Sequence, residues 1–543
     1  MKTTRSRSLI ARGGPRLSRR HAVTGAGLGL AAAVLPGTMP AAAAHEGTPE
    51  ATAGGIDRAA VEAALPELIG LAEAAVANGD VPGLALAVVY EDEVVLSAGY
   101  GARSTESNEP VTPDTVFQMA SVSKPIASTV VSAIVGSGAA TWDDPVIDHL
   151  LGFQLADPWA TRELMIGDFF AHRSGLGGDA GSDLERIGYD RAEITERLRY
   201  LELASSPRSR YAYSNIGLTV GGLAAAAAMD MSWEDASEAL LYAPLGMTST
   251  SSRYADFEAE ENRAVLHVRI DDAWVPEFTF DSDTQSPAGG VSSTANDMAQ
   301  WLRLLFGNGT YDGAELIPAA ALQPARVPRM SRGADPITGQ PSFYGYGWGI
   351  GFDASGATTL GHAGAFSLGA RTMVSLHPAD QLGIVVLASA FPTGVPDALA
   401  ASLFDLVAHG ALTEDWFTGW NAIYDSIGAA FAAGGASYAT APASPAPALP
   451  ASAYTGTYAN DYAGPIEISG TDDALELRMG PEPRVYPLRH STHDTFTYAI
   501  DLEPPAPLSG VTFTIGPDGQ AESLHVDYFA GNGQGLFRRV VAD

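Results

Sequence analysis

One residue stands apart among those able to do acid–base chemistry. Beyond Lys2, the 543-residue chain holds a single lysine, Lys124, and its other Lys/Arg cations are all arginine. Arginine keeps its proton inside a protein, whereas a lysine taken out of water can release its own and act as a base. Ser121 stands three residues ahead, in Ser121-Val122-Ser123-Lys124, and a helical pattern continues through Ile126 and Val130. Residues i and i+3 share a helix face, so the hydroxyl and the amine can meet. The helix N-terminus adds a potential that favours developing negative charge. The pair is a nucleophile beside its base. The plain alternative is a surface lysine behind a serine by chance, at odds of roughly one in ten from ordinary serine usage.

Two more clusters follow downstream. Tyr213-Ser214-Asn215 lies in a polar turn between Arg208 and Gly217, and Gly361-His362-Ala363-Gly364 precedes the strand-like run Thr372–Ser375. Alone, the first is an ordinary turn and the second an ordinary loop. In this order and at these intervals, the three resemble the serine β-lactamase and penicillin-binding-protein superfamily, of which Ser-x-x-Lys is a signature. Val111-Thr112-Pro113-Asp114-Thr115 and Phe117-Gln118-Met119-Ala120 lead into the serine as they do in that family. His172-Arg173-Ser174-Gly175-Leu176, Ala288-Gly289-Gly290-Val291-Ser292-Ser293 and Tyr346-Gly347-Trp348-Gly349 carry the same likeness. The resemblance covers about residues 56–410, and residues 454–543 look like the lipocalin-like domain that some members carry.

The resemblance implies an α+β fold, a β-lactamase-like catalytic domain (antiparallel sheet with a helical region) followed by a small all-β barrel. It also implies a class C β-lactamase-related serine hydrolase that needs no cofactor and no metal. Ser121 would attack a carbonyl to form an acyl-enzyme, Lys124 would take the serine proton, and Tyr213 would pass protons between nucleophile, leaving group and water. Asn215 would orient the lysine and the substrate amide. The N–H groups of Ser121 and Ala365 would form the oxyanion hole. Gly364 would let a substrate backbone lie along an edge strand. His362 stands where many β-lactamases have the lysine of Lys-Thr-Gly. That departure resembles certain D,D-carboxypeptidases, D-amino-acid-specific aminopeptidases and esterases. A neutral imidazole can hydrogen-bond Tyr213 or a substrate, but it lacks the fixed cation that holds a β-lactam carboxylate. Arg371 is the candidate substitute, with pairing to one of the many acids as its alternative.

Three functions fit these residues. The first is hydrolysis of an amide or ester, such as a D-amino-acid peptide; the second is esterase or β-lactamase chemistry at the same site. The third is a ligand- or penicillin-binding protein that kept the fold. The partner is a small-molecule or peptide substrate, and the oligomeric state is open. His172 reads as structural, and His490 with His493 has metal-like spacing but too few companions for zinc. Trp142, Tyr346 and Trp348 read as core before cleft.

The elements that position these residues come from length and pattern. At about 100–200 residues per domain the chain holds two to four domains. Hydrophobic residues make up 46% and charged residues 17%, enough for a large core. Seven of the 31 Lys+Arg fall in the first twenty residues, and no acid precedes Glu46. The remainder sets 24 Lys+Arg against 63 Asp+Glu, a balance of −39 that repels phosphate backbones and excludes nucleic acid as a partner. Cysteine is absent, which excludes disulfides and thiol chemistry.

Residues 1–44 read as an export signal: Ser18-Arg19-Arg20, an apolar run from Ala22 to Leu35, and Ala42-Ala43-Ala44 before His45. The paired arginines suggest the twin-arginine route. The run is too short and too rich in Gly and Ala for a membrane span, so the product is expected outside the cytoplasm, in periplasm, cell wall or medium, without membrane insertion. A polar link (45–55) precedes the catalytic domain (56–410). Helical patterns at Ala59–Ala77, Ile126–Val135, Ile194–Leu203, Asp297–Phe306 and Ala398–Ala408 alternate with strand-like runs at Leu84–Tyr90, Val94–Ala98, Thr372–Ser375 and Leu382–Ala388. Strands at both ends with helices between predict a sheet built from the two termini. A connecting helical segment (411–440) and a Pro/Ala linker (441–453) lead to short alternating runs over 454–543, the pattern of a barrel or sandwich.

Overall fold

Gly83–Tyr90 is apolar at every position because both of its faces are covered, and all eight residues are buried. It is β1 of an eight-stranded sheet whose other members are β2 (Glu93–Gly101), β3 (Met330–Ala334), β4 (Pro341–Tyr344), β5 (Gly349–Phe352), β6 (Thr358–Phe366), β7 (Ala370–His377) and β8 (Leu382–Ala388). Their order is β2-β1-β8-β7-β6-β5-β4-β3, antiparallel throughout. β1 pairs with β8 from Leu84↔Ala388 to Tyr90↔Leu382, so the two ends of the domain meet inside the sheet, one strand in from its β2 edge. The computed structural model describes residues 56–540 except 271, 277–279, 336–338, 354, 435–437, 439, 441 and 500–507, without the side chains of 428–434. The segments read above as an export signal (1–44) and a polar link (45–55) lie outside the described residues.

The side-chain alternation of β1 divides the core in two. Leu84, Leu86 and Val88 pack with Val61 and Leu68 of α1 (Arg58–Ala77), and with Leu399 and Leu403 of the helix Val395–His409. Ala85, Ala87 and Val89 face the inserted helical region, including Ile126 and Val130 of α2 (Ser123–Ser137) and Leu218 of α3 (Asn215–Ala227). The terminal helix Val395–His409 is α4, and α5 (Trp416–Gly434) occupies the connecting segment. β3 to β6 lie where the sequence patterns marked no strand. β3 to β5 are short, and glycines at 349, 351, 361 and 364 interrupt the apolar alternation of β5 and β6 that marks a strand. His362 therefore stands in a strand.

The C-terminal residues form a closed barrel of eight consecutive antiparallel strands, β9 (Gly456–Asn460), β10 (Gly464–Thr471), β11 (Ala474–Met479), β12 (Arg484–Thr492), β13 (Thr495–Tyr498), β14 (Ser509–Ile515), β15 (Ala521–Val526) and β16 (Leu536–Arg539). β9 and β12 are additions to the sequence pattern; Pro487 and the outward Arg489 and His490 disguise β12. Among the described residues no helix is long and apolar enough to cross a membrane.

The barrel docks on the short helix Ser182–Arg186 of the catalytic domain. The buried Asp183 carboxylate accepts from Tyr462 Oη and, at 2.9 Å, from Asn532 Nδ2; its backbone oxygen accepts from Tyr528 Oη at 3.1 Å. Burial pushes the Asp183 carboxyl up to about 6. Two residues on, Glu185 Oε2 accepts from Gln285 Nε2 at 3.1 Å, and burial pushes this carboxyl up to about 7 although Arg186 pulls it down.

A raised folded value has a definite sign. Between the ordinary 4.5 and about 7, the folded chain keeps a proton on Glu185 that the unfolded chain has lost. Stability therefore falls as pH rises through that window, by up to about 3 kcal/mol. Urea unfolding at pH 5 and pH 7.5 should show Glu185→Gln losing less stability than the parent; equal losses would contradict the burial of this carboxyl.

Candidate active site

Ser121 sits on a single 3-10 turn, Ala120–Val122, that runs into α2. In such a turn i and i+3 eclipse, which brings Lys124 alongside. Lys124 Nζ lies 3.0 Å from Ser121 Oγ, and Tyr213 Oη donates to the same oxygen at 2.9 Å. Nζ also donates to Ala288 O at 2.8 Å and lies 4.7 Å from the Tyr213 ring centroid. Lys124 is fully buried, and burial holds its ammonium pKa well below the usual lysine range. A neutral amine can give one N–H to Ala288 and turn its lone pair toward the Ser121 hydroxyl. Burial raises the Tyr213 phenol instead, so it stays protonated and donates.

The nucleophile turn is held on every side. Ala120 has φ 45°, a left-handed conformation costly for a residue with a side chain. Met119 N–H donates to Val291 O (2.8 Å), Thr372 Oγ1 donates to Met119 O (2.7 Å), and Val291 N–H donates to Ser123 Oγ (3.0 Å). A two-residue ladder, Phe117–Gln118 against Ser292–Ser293, fixes the approach. On the other flank Gly347, at φ +80°, passes so close that a Cβ would stand 2.7 Å from Lys124 O.

Tyr213 arrives on an arm clamped by His172. Ala212 N–H donates to His172 O (2.8 Å), Ser214 N–H donates to His172 Nδ1 (3.1 Å), and the His172 and Tyr213 rings lie 4.4 Å apart. Arg173 and Arg208 both reach the buried Asp168 at 2.7 Å, closing the base of the arm. Ser214 then caps α3 through Gly217 N–H at 3.0 Å, which makes Asn215 the first residue of that helix and takes it out of a turn. Asn215 Oδ1 is buried with no hydrogen-bond partner among the described residues, and Ala288 O, not Asn215, is the second partner of Lys124.

Three expectations change on the third element. His362 does not bond Tyr213: the rings are 6.4 Å apart, Nδ1–H donates to Ala363 O (2.7 Å), and Nε2 accepts from Tyr344 Oη (2.8 Å). Burial, then the nearby Lys124, depress its pKa well below the usual range, so both ring nitrogens are spoken for by a neutral imidazole. Gly364 serves the protein's own backbone, not a substrate's: a Cβ there would lie 2.3 Å from Met119 O and from Thr372 Oγ1, and 3.0 Å from Ser121 N. Arg371, opposite Ala365 in the ladder, is no carboxylate ligand. It is buried, bonded through Nε to Asp397 Oδ2 (2.9 Å) and through Nη2 to Asp397 Oδ1, and it donates to Gly364 O at 3.2 Å. A cation buried without water needs such a partner.

Tyr344, Thr372 and Asp168 are functional neighbours the sequence reading passed over. Tyr344 had one usable signal, its place two residues before Tyr346-Gly347-Trp348-Gly349; the others had none. Elsewhere, Asp353, His377 and Asp380 bring possible metal-ligand atoms within 4.8 Å of one another, at the end of β6 and β7 away from Gly364. His490 Nε2 is occupied by its own loop, on His493 O at 2.9 Å.

The β-lactamase family model matches residues 68–408. The chain belongs to the β-lactamase family. A domain of unknown function, DUF3471, matches residues 440–536. Penicillin-binding protein 4 of Amycolatopsis lactamdurans is 28% identical over 52% of this chain and 75% of its own length. Unguisins hydrolase ungD' of Aspergillus campestris is 27% identical over 70% and 72%, and esterase EstB of Burkholderia gladioli 27% over 56% and 84%. The fold is also that of the octameric penicillin-binding protein homologue from Pyrococcus abyssi (TM-score 0.55, 18% identity, 87% of this chain and 99% of that one). A class C β-lactamase from Rhodobacter sphaeroides aligns at TM-score 0.51 and 23% identity over 63% and 99%. The family, the hydrolases among its relatives and the fold make this β-lactamase relative a serine hydrolase with a C-terminal barrel.

In this β-lactamase relative, packing at Gly364 should govern rate before it governs folding. Gly364→Ala should leave the circular dichroism spectrum unchanged while activity drops at least about 100-fold, the scale of a 1 Å misplacement. Retained activity would mean that β6 does not fix the serine turn.

Proposed function

We propose that the mature chain is an exported serine hydrolase that cleaves an amide or ester through an acyl-enzyme on Ser121. The observation that carries this reading is the Ser121 hydroxyl set between a desolvated lysine at 3.0 Å and a protonated tyrosine at 2.9 Å. Ser121 Oγ attacks the carbonyl as its proton passes to Lys124 Nζ. The tetrahedral oxyanion rests on the N–H groups of Ser121 and Ala365. Lys124 returns the proton through Tyr213 to the departing amine or alcohol. Water then enters, loses a proton along the same path, and releases the acid. Asn215, its amide oxygen unpaired, orients the substrate amide.

The substrate class we propose is a D-amino-acid peptide, taken as an amide or ester acyl donor. The exported location rests on the basic N-terminal segment with its apolar run, and names such as penicillin-binding protein and esterase among the relatives support the same chemistry. Esterase action is the second reading. It is favoured because His362 is neutral and Arg371 is paired with Asp397, so neither offers charge to a substrate carboxylate.

Intact-mass spectrometry of the mature protein with benzylpenicillin, with the drug assayed in the same tubes, separates the possibilities. A lasting adduct on Ser121 marks a penicillin-binding type with slow deacylation, and loss of the drug without an adduct marks β-lactamase turnover. If neither occurs, D-amino-acid amides and simple esters should be cleaved; no turnover of any of them would overturn the proposal. Lys124→Arg keeps the charge and removes the base, so acylation should fall by orders of magnitude, about as far as in Ser121→Ala. Because Lys124 loses its proton well below the usual lysine range, the parent's acylation rate should reach its plateau at a pH well below that range. It should fall on the acid side, as the amine is reprotonated.

A further inference from the structure

A cavity of about 400 Å³ opens away from Ser121, where the turn after α1, the end of the strand His267–Ile270, the approach to α4 and the helix α5 converge. Its lining includes three carboxylates, Asp80, Asp272 and Asp425, and one guanidinium, Arg269. None of the four makes an ion pair among the described residues, although both signs of charge face one space. Arg269 is instead steadied over the Trp274 ring at 5.5 Å. Tyr424, only 7% exposed, forms part of the wall, and its hydroxyl has no hydrogen-bond partner among the described residues. Asn421 spends its amide oxygen on Gly394 N–H (3.0 Å), and Thr393 Oγ1 accepts from Val395 N–H (3.3 Å); the Asn421 amino group and the Thr393 proton are left to give.

The Tyr424 hydroxyl opens on the cavity and is free to hydrogen-bond a molecule held there. Charges of opposite sign face this space without pairing to each other, an arrangement that favours a visitor carrying both signs. We propose that this cavity binds a small zwitterion, an α-amino acid or dipeptide, with its ammonium among Asp80, Asp272 and Asp425 and its carboxylate on Arg269. The volume suits a molecule of that size. The acid excess sets the ammonium as the main anchor and disfavours simple anions. The site has a line to the catalytic strand: the Tyr424 ring lies 4.8 Å beneath the Arg371 guanidinium, and Arg371 donates to Gly364 O. The proposal does not rest on the catalytic reading, since binding is measured without turnover.

The test is isothermal titration of the full mature chain carrying Ser121→Ala, at low salt, with L-alanine, D-alanine and D-alanyl-D-alanine. Ethylammonium chloride and sodium propionate serve as half-ligand controls. At least one zwitterion should saturate, with both controls weaker by about tenfold or more. Arg269→Ala and Asp425→Asn, both exposed positions, should each weaken binding by about tenfold or more while the melting temperature holds. No saturation by about 20 mM of any zwitterion would overturn the proposal. So would ethylammonium binding as tightly as alanine, or binding that neither substitution weakens, which would place the ligand at the catalytic serine.

Discussion

A lysine amine held out of water with no carboxylate against it is the constraint on which the rest of this enzyme depends. A charged ammonium at Lys124 would need a counter-ion or solvent, and its hydrogen-bond partners here are a serine hydroxyl and the carbonyl of Ala288. The protein meets the cost by letting the group go neutral, and the neutral form is the useful one. The surrounding contacts read as means to that end. Gly347 lets the chain pass against Lys124 O, and the Ala288 segment closes over the amine. Tyr213 lays its ring beside Nζ without adding charge.

The scaffold answers a second constraint, that the parts come from distant stretches of chain. The 3-10 turn and the start of α2 carry Ser121 and Lys124, the arm before α3 carries Tyr213, and β6 carries His362 and Ala365. A sheet covered on both faces gives these pieces a common floor. Buried polar clamps then set their spacing: Asp168 with two arginines, His172 with the Tyr213 arm, Arg371 with Asp397. Each is a charge or imidazole whose partner is fixed, so each holds one geometry.

Much of this was legible before any coordinates. The lone lysine three residues after a serine signalled the base, the runs at Leu84–Tyr90 and Leu382–Ala388 signalled strands, and the linker marked the start of the barrel. What could not be read depended on facts that spacing does not encode. Glycines erased the alternation of β5 and β6, so His362 looked like a loop residue. The partner of Arg371 lies 26 residues away on α4, and nothing in the local pattern distinguishes Asp397 from the other acids. Gly364 was correctly seen as a place of close approach, but the approaching backbone belongs to the serine turn. Tyr344 was missed because its role depends on which ring nitrogen of His362 is left to accept.

The pairing of β1 with β8 has a consequence for how the molecule is made. Leu84 finds its β8 neighbour only when Ala388 has been synthesised, so the ladder that joins the two ends of the sheet cannot form on a nascent chain that lacks the last tenth of the catalytic domain. Such long sequence separation slows folding and leaves the helical insertion waiting without its floor. The reactive serine turn, which needs Thr372 to hold Met119, stays unassembled through that interval. Competence therefore arrives late and all at once, and a chain cut short before β8 would carry the nucleophile and its base with nothing to bring them together.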